Sequence, residues 1–202
     1  NDLKNELKII QSSWKNPEQS IPFLNRSTPL IYNPDHKSIK ILLFLLRENP
    51  LIHEILLNFL NDEWYRRLPE DEPNYILRAA IARSSGEKSL PLHIDSFIPS
   101  SGSKLFVMQA LFALDQSNSR NGSTIVVPSS HKSDAYANQD AIKDAVSLDL
   151  EPGDVALWDS RLWHGAKPNI SGNDRWSIIA TFTRWWIKQN YQTPTSIPDN
   201  IY

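Results

Sequence analysis

The sequence contains no cysteine. Disulfides, thiolate zinc sites, iron–sulfur clusters and cysteine nucleophiles are therefore excluded. The absence is compatible with a reducing cytosol, and a cytoplasmic location is expected. Glycine is scarce, at six residues against fourteen prolines, a balance that favours turns and edges over a long helical bundle. Neither sign of charge is in excess: the formal net charge is −2. The chain thus has no basic footprint for nucleic acid and no acidic tail. Long hydrophobic runs are missing too. The longest, residues 41–46, is far too short to span a bilayer, so no membrane partner is expected. The first residue is Asn1 rather than Met, so its start says nothing about targeting. What remains is ordinary for a soluble domain: 202 residues, 40% hydrophobic and 22% charged, long enough to bury a real core.

Apolar spacing in residues 2–13 predicts a short amphipathic helix. Residues 17–34 are rich in Pro, Asn and Ser and read as a long loop. A helix is expected from Pro34 through Leu46, broken by Pro50, then a second across Leu51–Leu60 with Ile52, Ile55, Leu56, Phe59 and Leu60 on one face. His36 and His53 sit in helical context without partners nearby and read as surface or capping residues. From Tyr75 the pattern changes. Tyr75–Arg83, the stretch around His93, Lys104–Leu114, Ser123–Val127, Ser147–Leu150, Val155–Trp158 and Arg175–Ile187 all read as strands. Asn121-Gly122 signals a tight turn. Glu151-Pro-Gly-Asp154 suits a type II turn, with Pro and Gly at its centre. The expected fold is mainly β with flanking helices, a barrel or jelly roll. One domain is expected over 1–202: helical support to about residue 70, a β core at 75–187, and a tail at 188–202.

The chemistry concentrates in His93-Ile-Asp95 and in the distant His164. Side chains two apart in a strand share a face, so His93 and Asp95 can converge on one point, and the fold must bring His164 to them. Two imidazoles and one carboxylate on one side of an ion leave its other positions open. That arrangement is associated with non-haem Fe(II) oxygenases. The competing reading is a surface loop whose His and Asp face water. A second cluster follows. If residues 167–173 form a hairpin, Arg175 returns beside His164, with Ser177 on the same face. A guanidinium clamps a carboxylate through two hydrogen bonds, and a hydroxyl adds a third. A small dicarboxylate chelating the metal at one end would fit; alternatively Arg175 is a surface residue paired with Asp174 or Asp159.

Taken in order, His93-Ile-Asp95, the stretch from Leu114 through Asn121-Gly122 to Pro128-Ser-Ser-His131, the stretch from Glu151-Pro-Gly-Asp154 to Trp163-His164, and Arg175 resemble the phytanoyl-CoA dioxygenase family. The resemblance covers residues 75–186. Two departures stand out: Ser123 where Pro is usual after Asn-Gly, and Ser129 where Gly is usual before Ser-His. The resemblance implies a double-stranded β-helix, cupin-like, with Fe(II) held by His93, Asp95 and His164. It implies 2-oxoglutarate as co-substrate, its distal carboxylate on Arg175 and its near end on Gln109, which reads equally well as a polar residue on the outer sheet face. O2 is consumed, and succinate and CO2 are released. His131 is implied to support the pocket rim, not to bind iron. Related halogenases keep the position of Asp95 small, so a carboxylate there implies hydroxylation or another oxidation. The expected partner is a small-molecule substrate, with pocket walls from residues 17–34, Phe97–Lys104, Trp163 and Trp185-Trp186, the last pair reading equally well as core. No basic cluster advertises a coenzyme A thioester. The alternatives are a non-catalytic jelly-roll module that binds metal or ligand, and a metal-assisted hydrolase or isomerase.

Overall fold

Asn49 caps a helix that Pro50 begins. The Asn49 side chain accepts a hydrogen bond from the Ile52 N–H at 3.1 Å, and a proline in the first turn sacrifices no helical bond. This helix, α1 (Pro50–Leu60), buries Ile52, Leu56 and Leu60. Their spacing of four makes one stripe, and burying each such side chain stabilises by roughly 1.5–3 kcal/mol. Phe59, expected on the same face, is instead exposed. His53 has a partner after all: its Nδ1 lies 2.6 Å from the Tyr75 hydroxyl. The computed structural model of the chain describes residues 49–61 and 75–187. The helices expected before Asn49, the loop at 17–34 and the tail at 188–202 lie outside them.

Eight strands follow among the described residues: β1 (Tyr75–Ser84), β2 (Leu90–His93), β3 (Val107–Ala113), β4 (Thr124–Val126), β5 (Val146–Ser147), β6 (Val155–Asp159), β7 (His164–Ala166) and β8 (Trp176–Arg184). They form two four-stranded sheets, in the orders β1-β8-β3-β6 and β2-β7-β4-β5, with antiparallel pairing throughout. We call them the large and small sheets. The chain changes sheet at almost every connection, which is how a double-stranded β-helix is wound. No helix among the described residues is long and apolar enough to cross a membrane.

Alternation along β3 and β8 sorts their residues onto two faces. Met108, Ala110, Ile178, Ala180 and Phe182 pack with Ile52, Leu56 and Leu60 of α1. Gln109, Leu111, Ser177, Ile179, Thr181 and Thr183 therefore face the other way, toward the small sheet. With both faces covered, these strands read as near-continuous apolar runs. The register sets Trp158 of β6, Gln109 of β3 and Thr181 of β8 side by side in one row.

The expected type II turn is present: Asp154 N–H donates to the Glu151 carbonyl at 3.0 Å, and Gly153 has φ +100°. The expected hairpin at 167–173 is not. Both edges of β7 are taken by β2 and β4, and both edges of β8 by β1 and β3. The segment is a crossover from the small sheet to the large one, held by Asn169, whose amide donates to the Asn173 carbonyl at 2.7 Å and to Ser85 Oγ at 2.8 Å.

Candidate metal centre

His93 closes β2 and pairs in register with His164, the first residue of β7. Their rings lie 4.2 Å apart between centroids. Asp95 was expected on the same strand as His93. It sits instead just past the strand end, in a turn. Strict alternation would leave the two side chains parallel and one pleat repeat apart, whereas a turn aims them at each other. That turn is pinned from behind: the Ser160 carbonyl accepts from the N–H groups of Asp95 and Ser96 at 2.8 and 3.2 Å. One ligand atom from each of His93, Asp95 and His164 lies within 4.8 Å of the others. The His93 Nε2 is 3.5 Å from Asp95 Oδ1, and the His164 Nε2 is 3.2 Å from Asp95 Oδ2.

Both imidazoles are oriented in the same way. His93 Nδ1 lies 2.9 Å from the Pro91 carbonyl, and His164 Nδ1 lies 2.9 Å from the Leu162 carbonyl. A carbonyl can only accept, so each Nδ1 donates to its carbonyl and each Nε2 is turned toward Asp95, where a metal would take the place of any proton it carries. Such a donor set of two imidazoles and a carboxylate fits a divalent transition metal. Charge reinforces it. Burial alone would raise the Asp95 carboxyl, but the charge of His164 and hydrogen bonds from His164 and His93 outweigh it and hold Asp95 well below the usual carboxylate range. Burial opposes charging of His164, yet the adjacent Asp95 carboxylate and the Leu162 carbonyl raise its pKa above the ordinary histidine value.

Arg175 precedes β8 and is buried, not a surface residue. It does not pair with Asp159, whose carboxylate is gripped by Arg161 at 2.6 Å. The Arg175 guanidinium donates to Ser177 Oγ at 3.2 Å and to the Gly122 carbonyl. The Asn121-Gly122 turn thus serves to seat it. Gly122 has φ +82°, and a Cβ there would meet the Ser85 Cβ at 2.9 Å, so the turn admits only glycine. Ser177 and Gln109 both lie on the face of the large sheet turned toward the small sheet. Gln109 is buried and accepts from the Thr181 hydroxyl at 2.7 Å. The row holding Gln109 is four β8 residues from Ser177, roughly 13 Å at 3.3 Å per residue.

Several residues that shape the site carried no sequence signal. Gln139 hydrogen-bonds both the N–H and the carbonyl of Leu92, at 3.0 and 2.7 Å, and so covers the free edge of β2 as a neighbouring strand would. Ser130 Oγ accepts from the Trp163 N–H at 2.8 Å and donates to the Val127 carbonyl at 2.7 Å, fixing the residue before His164. Ser129 has φ +65°, which explains why Gly is the usual residue there. Arg161, bound to Asp159, also donates to the carbonyls of Ser100 and Gly102 at 3.2 and 2.9 Å, tying down the loop after Asp95. On that loop Phe97 takes φ +64° and stands exposed with Ile98; the Arg78 guanidinium lies 5.6 Å from the Phe97 ring centre. The indole of Trp158 lies 5.3 Å from the His164 ring.

The phytanoyl-CoA dioxygenase (PhyH) family profile matches residues 1–177. The uncharacterized protein Rv1501 of Mycobacterium tuberculosis is 34% identical over 92 residues, 45% of this chain and 34% of that one. Dioxygenase af480 of Aspergillus fumigatus is 27% identical over 108 residues, 52% of this chain and 35% of that one. The chain spans about a third of the length of these curated relatives. Among solved structures, HygX of Streptomyces hygroscopicus with nickel and 2-oxoglutarate bound is similar at a TM-score of 0.65 and 15% identity, covering 93% of this chain and 79% of that one. The same protein with hygromycin B also bound gives a TM-score of 0.64, at 14% identity and the same coverage. These likenesses speak for the fold. With the profile running through both histidines and the carboxylate to Ser177, the chain belongs to the phytanoyl-CoA dioxygenase family.

Proposed function

We propose that this chain is an Fe(II)- and 2-oxoglutarate-dependent oxygenase that hydroxylates a small organic molecule, with succinate and CO2 as co-products. The observation that carries the reading is the convergence of His93, Asp95 and His164, whose donor atoms lie within 4.8 Å of one another. Their two imidazoles and one carboxylate fit ferrous iron with positions left open. Those three residues would hold the ion, Arg175 and Ser177 the distal carboxylate of the keto-diacid, and Gln109 its near end. When bound, iron and 2-oxoglutarate together supply the O2-dependent oxidation.

The chain's own part is placement. The Pro91 and Leu162 carbonyls keep each Nδ1 protonated and each Nε2 turned toward Asp95. Buried Arg175 orients a carboxylate along the face shared with Gln109 and keeps that end from water. Asp95 takes the third protein position, which supports hydroxylation over halogenation. Exposed Phe97 and Ile98 beside the ligand turn offer an apolar rim to a substrate. HygX has been crystallised with hygromycin B, which supports a small-molecule substrate here.

Incubation with Fe(II), ascorbate and 2-oxoglutarate is expected to yield succinate by slow uncoupled turnover, and His164→Ala is expected to yield only background. Equal succinate from the two proteins would refute the reading.

A further inference from the structure

The indole Nε1–H of Trp158 is buried and has no hydrogen-bond partner. Such a group is uncommon, because a buried donor without an acceptor has lost its water for nothing in return. Among the described residues two other buried atoms share the condition, Trp176 Nε1 and Thr183 Oγ1, but their settings differ. Trp176 belongs to the apolar cluster under α1. Thr183 lies two residues beyond the Trp158–Gln109–Thr181 row. Only Trp158 touches the metal centre, through the ring contact with His164. It also stands beside Gln109, whose carbonyl oxygen is occupied by Thr181. Two N–H donors, Trp158 Nε1–H and the Gln109 NH2, therefore belong to residues paired in register on adjacent strands, and Trp158 lies against His164. No acidic side chain among the described residues bonds to either.

We propose that Trp158 Nε1–H is a hydrogen-bond donor to the near end of the keto acid, the end that chelates the metal. The inference rests on the oxygenase reading above. A carboxylate suits the site for two reasons. It accepts without offering a proton, which two adjacent donors require, and its charge is favoured where the donors are already dry. The far end, by contrast, has Arg175. Trp158 is thus a positioning residue that selects how the keto acid lies across the metal.

The test uses Zn(II) in place of iron, with oxalate as a ligand that keeps the chelating end and lacks the distal chain. Wild type labelled with 15N-tryptophan is observed as metal alone, then 2-oxoglutarate or oxalate, is added; Trp158→Phe identifies the resonance among the seven tryptophans. The Trp158 indole signal is expected to move downfield with either ligand and not with metal alone. Trp158→Phe is expected to weaken both ligands about tenfold or more, the worth of a hydrogen bond to a charged group. Its melting temperature without ligand should not fall as a merely structural tryptophan would require, because the orphaned donor is removed with the ring nitrogen. An unmoved indole together with unchanged affinities would overturn the assignment of Trp158. A loss confined to 2-oxoglutarate would place the donor at the distal end and overturn it as well. Wild type that binds neither ligand would overturn the oxygenase reading and this inference with it.

Discussion

Each histidine of the triad borrows the carbonyl two residues before it, Pro91 for His93 and Leu162 for His164. The side chains were legible in the sequence because their chemistry is specific. Their orienting partners were not, because every residue has a carbonyl. The raised pKa of His164 and the lowered pKa of Asp95 fix the sign of a pH dependence. In the metal-free protein, the stabilisation from charged His164 is full below its ordinary value of about 6.5 and disappears as pH rises through its raised folded value. That from Asp95 is present above its ordinary value of about 3.9 and disappears only as pH falls through its depressed one. The pair therefore contributes most between about pH 4 and 6.5. A metal must displace the His164 proton. Zinc affinity, read by calorimetry, is expected to rise about tenfold per pH unit for that proton and then level off above the His164 pKa. Ser129 gives a second prediction at this scale. A serine at φ +65° is strained by roughly 1–2 kcal/mol, so with about 0.5–1 kcal/mol subtracted for the entropy of glycine, Ser129→Gly should stabilise by about 0.5–1 kcal/mol in a urea titration.

The elements explain what spacing could and could not reveal. Strand existence was legible at β3 and β8, where aromatic and β-branched runs announce burial on both faces. Pairing was not: residues 167–173 look like a hairpin locally, and only the occupied edges of β7 and β8 forbid it. Asp95 was misplaced for a related reason. A His-x-Asp pattern suits a strand, but the Ser160 carbonyl captures two consecutive N–H groups and bends the chain out of the sheet. Gly165 follows His164 where β7 runs closest to β2; a Cβ there would lie 2.5 Å from the Leu90 carbonyl oxygen. That contact is with backbone, so it cannot be relieved by a rotamer change. Gly165→Ala is expected to destabilise by about 3 kcal/mol and to weaken zinc binding, because the strand that carries His164 must shift away from the one that carries His93. Unchanged stability and affinity would show that the two strands separate freely.

At the scale of the whole molecule, two sheets share one task. His93 and His164 belong to the small sheet, while Arg175 and Ser177 introduce β8 of the large one. Winding the chain back and forth between the sheets is what lets residues so distant in sequence meet; local pattern pointed to a barrel or jelly roll, and the order of the strands in it came only with the family likeness. If the proposed roles hold, the interval between the triad and Arg175 sets the length of acceptable keto-diacid. Oxaloacetate, one carbon shorter, and 2-oxoadipate, one longer, should each bind at least about tenfold more weakly than 2-oxoglutarate, the usual penalty for a methylene misfit, in an anaerobic titration of the ferrous protein. The anchor at β8 has a further result. On that reading a diacid gripped at both ends would be a tie-rod running from the triad to Arg175 at the start of β8, whereas oxalate, held by the triad and Trp158, would stop short of Arg175. The proposed co-substrate would then be a temporary structural member: its arrival would brace the mouth, and its conversion to succinate would slacken the brace as the product leaves.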